Sequence, residues 1–158
     1  TQKVTELGAS QIWAFPADWS VAKWDGKKLG KKVEKLEKIA LGAAEQSKRN
    51  LVPSITLFEK KADFLAQFDQ FDRIVVAYEE SAKEGESAAL IQAVARLEKG
   101  AKLLFIFGPE GGLSPAEIES FEAKGAVLAG LGPRILRAET APLYALGAVS
   151  VILELVRK

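Results

Sequence analysis

The chain contains no cysteine and no histidine. Without cysteine there is no disulfide framework, no thiolate nucleophile and no thiolate metal site. Without histidine, the usual general base and the commonest metal ligand are missing too. These residue types speak against a zinc enzyme, and no metal is expected. The net charge is only +1, so no global field draws the chain to nucleic acid and any basic surface must be local. No apolar run is long enough to span a bilayer, and TQKVTELGAS at the start lacks the apolar core of a signal peptide. That start has no initiator Met and reads as the middle of a helix, so further chain is expected to have preceded Thr1. What remains is 158 residues, 48% apolar and 27% charged, which is enough for one globular domain with a substantial core.

Hydrophobic patterning alternates helices with strands. Thr1–Leu7 reads as the end of a helix stopped by Gly8, and Gln11–Phe15 as a strand. Pro16–Gly26 reads as loop. Over Lys27–Arg49, Leu29, Val33, Leu36, Ala40 and Ala43 recur at helical steps. Strands are expected at Pro53–Leu57, Arg73–Tyr78, Lys102–Phe107 and Ala126–Ala129. Helices are expected at Lys60–Phe68, Ser87–Leu97, Ser114–Ala123 and Thr140–Val156. RIVVAY at 73–78 is apolar without alternation, as in a strand covered on both faces. Glu79–Glu86 reads as a solvated loop. The final helix is apolar nearly all round and is expected to be buried. The order predicts an α/β fold, a parallel sheet with helices on both faces.

One turn stands out. GPEGGLSPAE, at 108–117, follows the apolar strand KLLFIF directly. Ser114, Pro115 and Glu117 form a capping box with proline at the first helical position, so the turn joins a strand to a helix start. Ligands of open α/β sheets bind outside the carboxyl ends of strands, where glycine lets backbone approach closely. The turn is not a phosphate loop. It lacks the Lys-Ser/Thr pair and the G-x-G-x-x-G spacing, and Glu110 would repel phosphate. Taken alone, it also fits a tight strand–helix connection that needs glycine for geometry. The second segment, GLGPRILRAETAP at 130–142, repeats the device: a strand, a Gly-Pro loop, then a helix start near Thr140. It adds Arg134, Arg137 and Glu139. Two such loops make a crevice plausible.

GPEGGLSPAE at 108–117 and LGPRILRAETA at 131–141, with weaker support from TELG at 5–8 and AAEQSKRNLVP at 43–53, resemble the RsmE family of bacterial ribosomal RNA methyltransferases, within the SPOUT superfamily. The resemblance covers most of the chain. It implies a single SPOUT domain over residues 1–158, with a parallel-rich sheet and a C-terminal trefoil knot. It implies S-adenosylmethionine as cofactor and methylation of ring nitrogen 3 of a uridine in small-subunit (16S) ribosomal RNA. It also implies a homodimer, with active sites near the dimer interface, and the cytoplasm as location. The small N-terminal β-barrel of the family, which helps bind RNA, is expected to lie in the chain that preceded Thr1 rather than within residues 1–158.

The residues fit that chemistry. S-adenosylmethionine carries no phosphate; it needs backbone polar groups and an apolar slot, and can use a carboxylate. Phe107, Gly108, Pro109, Glu110, Gly111, Gly112, Leu131, Gly132, Pro133, Ile135, Leu136 and Arg137 are the candidate cofactor residues. Methylating a uridine nitrogen requires loss of its proton. Arg137 is the candidate for stabilising the anion, and Glu139 the candidate base. An Arg137–Glu139 pair that only shapes the loop is the alternative. The absent cysteine argues against carbon-5 methylation through a covalent adduct.

Lysines crowd the first long helix and its approach. Such a run is either a solvated face or a phosphate-contacting patch. Lys23, Lys27, Lys28, Lys31, Ser47 and Arg49 are the candidate RNA contacts. Trp19 and Trp24 are candidates to stack on bases, while Trp13 reads as core. Other readings are a SPOUT enzyme acting on a ribose 2′-hydroxyl or a guanine, and a non-catalytic RNA-binding or dimerisation module. A generic nucleotide binder is disfavoured, because no acidic residue is properly placed after a glycine fingerprint.

Overall fold

A computed structural model describes residues 1–21, 25–83 and 88–156. The backbone divides into two compact units, Thr1–Pro16 with Val21–Phe64, and Ala17–Ser20 with Leu65–Lys158.

The first unit runs α1 (Gln2–Glu6), β1 (Gln11–Ala14), α2 (Gly26–Gln46), β2 (Ser54–Leu57) and the start of α3 (Lys61–Leu65). β1 and β2 pair in parallel, with Gln11 opposite Ser54 and Ala14 opposite Leu57. α2 starts where the Asp25 carboxylate accepts the Lys27 N–H at 3.1 Å. It buries a face of small residues, Ala40, Ala43 and Ala44. Trp13 packs edge-on against Phe58 at 5.2 Å and Phe64 at 6.4 Å, in keeping with a core role.

α2 stops three residues short of Arg49, for a visible reason. The Ser47 hydroxyl donates back to the Ala43 carbonyl at 2.7 Å, and Lys48 turns into the left-handed region at φ 56°. The turn delivers the Arg49 guanidinium to α1. Its Nη1 donates to the carbonyls of Thr5 and Ala9 at 2.9 Å each, and Nη2 to that of Gly8 at 3.3 Å. The Thr5 carbonyl also accepts the Gly8 N–H at 3.2 Å, so Arg49 adds to a backbone turn and acts as a cap from a distance.

In the second unit come β3 (Arg73–Ala77), α4 (Glu79–Lys83), α5 (Ala89–Ala95), β4 (Leu103–Ile106), α6 (Pro115–Ala123), β5 (Val127–Ala129) and α7 (Ala141–Ser150), which ends in a π-helical turn over Val151–Val156. β3 is central and parallel to both neighbours: Val75 faces Phe105 of β4 and Val127 of β5. Ile74, Val75 and Val76 are all buried, as an unalternating strand requires. Val75 packs with Leu90, Val94 and Ala129, backed by Ala148, Val149, Ile152 and Leu153. The register starts at Asp72, whose carboxylate accepts the Lys102 N–H at 2.7 Å.

Three expectations need correction. Lys60–Phe68 is not one helix: α3 ends at Leu65 and a 3₁₀ turn covers Phe68–Gln70. A continuous helix would put Phe64 and Phe68 on one face. The break lets Phe64 join Trp13 and lets Phe68 meet Phe121 at 5.6 Å. The polar stretch from Glu79 is helical through Lys83, with Glu79 and Glu80 in the first turn where the helix dipole favours negative charge; residues 84–86 lie outside the described residues. The C-terminal helix is not buried all round. Ala145 is, but Tyr144, Val151, Leu155 and Val156 are exposed, because only one side packs on the sheet.

Arg49→Ala is expected to lower stability by about 2 kcal/mol in urea unfolding, the scale for removing a charged hydrogen-bond donor from part-buried acceptors. Unchanged stability would show that the cap contributes nothing.

Candidate functional site

In a parallel sheet all strands point one way, so the loops leaving their carboxyl ends gather on one side. Here three such loops, all in the second unit, enclose a cavity of about 750 Å³. Ala77 to Glu80 leave β3, Phe107 to Leu113 leave β4, and Leu131 to Ala138 leave β5. Trp19, Pro115 and Ala141 complete the lining. The volume suits a small organic ligand.

Glycine is required in the β4 loop for two distinct reasons. A Cβ on Gly108 would lie 2.9 Å from Leu113 Cγ and 3.2 Å from loop backbone, so any side chain there collides with the loop's own return. Gly112 takes φ +81° and donates its N–H to the Pro109 carbonyl at 2.8 Å, closing the turn. In the β5 loop, the Arg137 carbonyl accepts the N–H groups of Thr140 and Ala141 at 2.9 and 3.0 Å, which launches α7. The Thr140 side chain makes no capping bond.

The expected capping box is present. The Ser114 N–H donates to Glu117 Oε1 at 2.9 Å, and the Glu117 N–H to Ser114 Oγ at 3.1 Å. The structure adds a third member that the local pattern does not contain. The Asp18 N–H donates to Glu117 Oε2 at 3.1 Å, and the Ser114 hydroxyl donates to Asp18 Oδ2 at 2.5 Å. Glu117 is 2% exposed, and both its oxygens accept hydrogen bonds. This network fixes residues 17–20 over the β4 loop.

Most of the expected cofactor residues share one wall: Phe107, Gly108, Pro109, Glu110, Gly112, Leu131, Gly132, Ile135, Leu136 and Arg137. Gly111 and Pro133 do not line the cavity; Gly111 instead sits against the Trp19 backbone. Glu139 is exposed and also off the wall, and it makes no ion pair with Arg137 among the described residues. Sequence reasoning missed Tyr78, Glu79, Glu80 and Arg134 as lining residues. The strand-end rule applied to RIVVAY held the signal for the first three. The wall carries carboxylates and guanidiniums together, which suits a ligand of mixed charge better than a polyphosphate. Among the described residues no group of three or more acidic side chains could hold a metal ion.

On α2, Lys27, Lys28 and Lys31 are exposed. With Lys32, Lys35 and Lys38 they fall within about 140° of an ideal helical wheel, a true stripe. Ser47 and Arg49 hold backbone carbonyls, as described. Lys23 and Trp24 lie outside the described residues.

A parallel α/β unit with a small-molecule cavity built from glycine-rich strand-end loops belongs to the class of α/β ligand-binding domains, most of them enzymes. The particular family is given by comparison: this chain belongs to the RNA methyltransferase domain family, whose model matches residues 1–150. It is 53% identical over 156 residues to ribosomal RNA small subunit methyltransferase E of Bacillus subtilis, covering 99% of this chain and 61% of that protein. The Mycobacterium bovis protein of the same name is 32% identical, covering 94% and 55%. Among solved structures, the fold matches a ribosomal RNA small subunit methyltransferase E from Neisseria gonorrhoeae bound to S-adenosyl methionine, with TM-score 0.76 and 26% identity over 96% of this chain and 58% of that one. The chain thus spans between about half and three fifths of the length of these relatives.

Glu117→Ala removes the cap and the Asp18 anchor together. A loss of about 2–3 kcal/mol is expected, with faster proteolysis at residues 17–20. Equal stability and equal cleavage would show that the network does not hold this turn.

Proposed function

We propose that this domain binds S-adenosylmethionine in the three-loop cavity and methylates ring nitrogen 3 of a uridine in small-subunit ribosomal RNA. The observation that carries the reading is the single cavity shared by the GPEGG and GPRILR loops. The relatives that share this fold are named for small-subunit RNA methylation, and one is bound to this cofactor. The lining fits the cofactor. Phe107, Leu131, Ile135 and Leu136 give apolar contact, the loops give backbone amides and carbonyls, and Glu79, Glu80 and Glu110 give negative charge for a cationic ligand. The cofactor supplies an electrophilic methyl group on sulfur.

The chain's own residues then have two tasks. One is to hold the uridine nitrogen in line with that methyl group. The other is to favour the anion left when the nitrogen loses its proton. Arg137, on the wall, is the cation for the second task. Glu139 remains the candidate base; it would have to reach the substrate from beside the wall. The lysine stripe of α2 is proposed to contact RNA phosphates. The trefoil knot belongs to the same reading, in which the β5 loop and α7 pass through an earlier loop.

We infer a homodimer as well. What supports it is the uncovered apolar side of the C-terminal helix, where Leu155 is 64% and Val156 75% exposed. Large exposed apolar patches mark interaction sites.

Calorimetric titration should give one saturating site for S-adenosylmethionine per chain and none for NAD. Arg137→Ala should abolish methyl transfer to small-subunit RNA with the melting temperature unchanged; transfer at the wild-type rate would remove Arg137 from the mechanism. Light scattering should give twice the 17.1 kDa chain mass. Leu155→Glu should shift it to the monomer, and a monomeric wild type would refute the dimer.

A further inference from the structure

We propose that Trp19 is a stacking platform for one unpaired base of the RNA, with Arg134 supplying the cation for that nucleotide's phosphate; the inference rests on the RNA methyltransferase reading. Residues Ala17–Ser20 group with the second unit, although the chain on either side of them belongs to the first. The turn is tied down at several points. Asp18 bonds to Ser114 and Glu117, and the Ser20 N–H donates to the Ala17 carbonyl at 3.1 Å. The Trp19 carbonyl oxygen lies 3.3 Å, and its Cβ 3.5 Å, from the place a Cβ would occupy on Gly111. A side chain at Gly111 would press on the turn.

All this holds a tryptophan that is not packed away. Trp13, by contrast, serves packing and sits edge-on to two rings. Trp19 is 51% exposed, and among the described residues it meets no other aromatic ring, yet it lines the cavity. A rigidly presented, half-exposed indole at a cavity rim is what a base needs to stack on, and every base has a suitable face. Arg134, exposed on the wall of the same cavity, gives the guanidinium that commonly accompanies such a platform.

The test is fluorescence anisotropy of a labelled single-stranded oligouridylate with wild type, Trp19→Ala, Trp19→Leu and Trp19→Phe, alongside calorimetry with S-adenosylmethionine. Melting temperatures establish that each variant is folded. The alanine and leucine variants should bind the oligonucleotide about tenfold more weakly, the scale of one lost stacking contact. The phenylalanine variant should stay within about threefold. Arg134→Gln should weaken binding and flatten its salt dependence by about one ion. Oligonucleotide binding unchanged in Trp19→Ala, or absent in wild type, overturns the proposal. So does a loss of cofactor affinity alone, which would place the indole on the cofactor. A wild type that binds the oligonucleotide but not S-adenosylmethionine defeats the methyltransferase reading and leaves the Trp19 result to stand on its own.

Discussion

A carboxylate at 2% exposure is costly unless its oxygens are satisfied, and the second unit is organised around one that is. Glu117 accepts from the Ser114 N–H with one oxygen and from the Asp18 N–H with the other. Its place in the first turn of α6 adds the favourable end of the helix dipole. Because Ser114 is the helix cap and directly follows the GPEGGL turn, the same carboxylate fixes where the β4 loop ends. Because Asp18 is distant in sequence, it also helps fix where the turn over residues 17–20 begins. One buried carboxylate therefore connects a helix start, a cavity-lining loop and the tryptophan beside it.

The sheet provides the other constraint. With β3 between β4 and β5 and all three parallel, three loops must emerge together. Their sequences then decide what the cavity can hold. Gly108 has no room for a side chain, so the loop folds back on itself and presents backbone. The β5 loop presents side chains instead, with Arg134 and Arg137 among apolar residues. A site made of one backbone-rich loop and one guanidinium-bearing loop suits a ligand that needs shape on one side and charge on the other.

Much of this was legible in the sequence. Every strand lies within one or two residues of its expected bounds, because short apolar runs bounded by glycine and proline are strong signals. The capping box was legible because its partners are three residues apart. Its extension to Asp18 was not, since nothing local links positions 18 and 117. Arg49 has a structural task that was hidden for a similar reason. The EQSKR match suggested a place near RNA, and nothing local showed that its guanidinium bonds to the carbonyls of Thr5, Gly8 and Ala9. The C-terminal helix shows the limit of composition: an all-apolar surface says that it needs cover, but not whether this chain provides it. Glu139 shows the limit of motif reading, since proximity in sequence to Arg137 did not bring it to the cavity wall.

The missing histidine and cysteine bear on the proposed reaction as well. A chain without them has no imidazole to shuttle a proton near neutral pH and no thiolate to form an adduct. Methyl transfer from a sulfonium to a nitrogen places little demand on either. The leaving group is already activated, and the nucleophile needs only to lose a proton whose charge spreads over adjacent carbonyl oxygens. Alignment and a cation can then supply most of the rate, through effective concentration and preorganised electrostatics. Rigid glycine loops, a guanidinium that cannot be deprotonated and an indole held in place by a buried carboxylate are the kinds of group that provide both. On this view the reaction matches the residues that remain when the usual acid–base and nucleophilic groups are taken away.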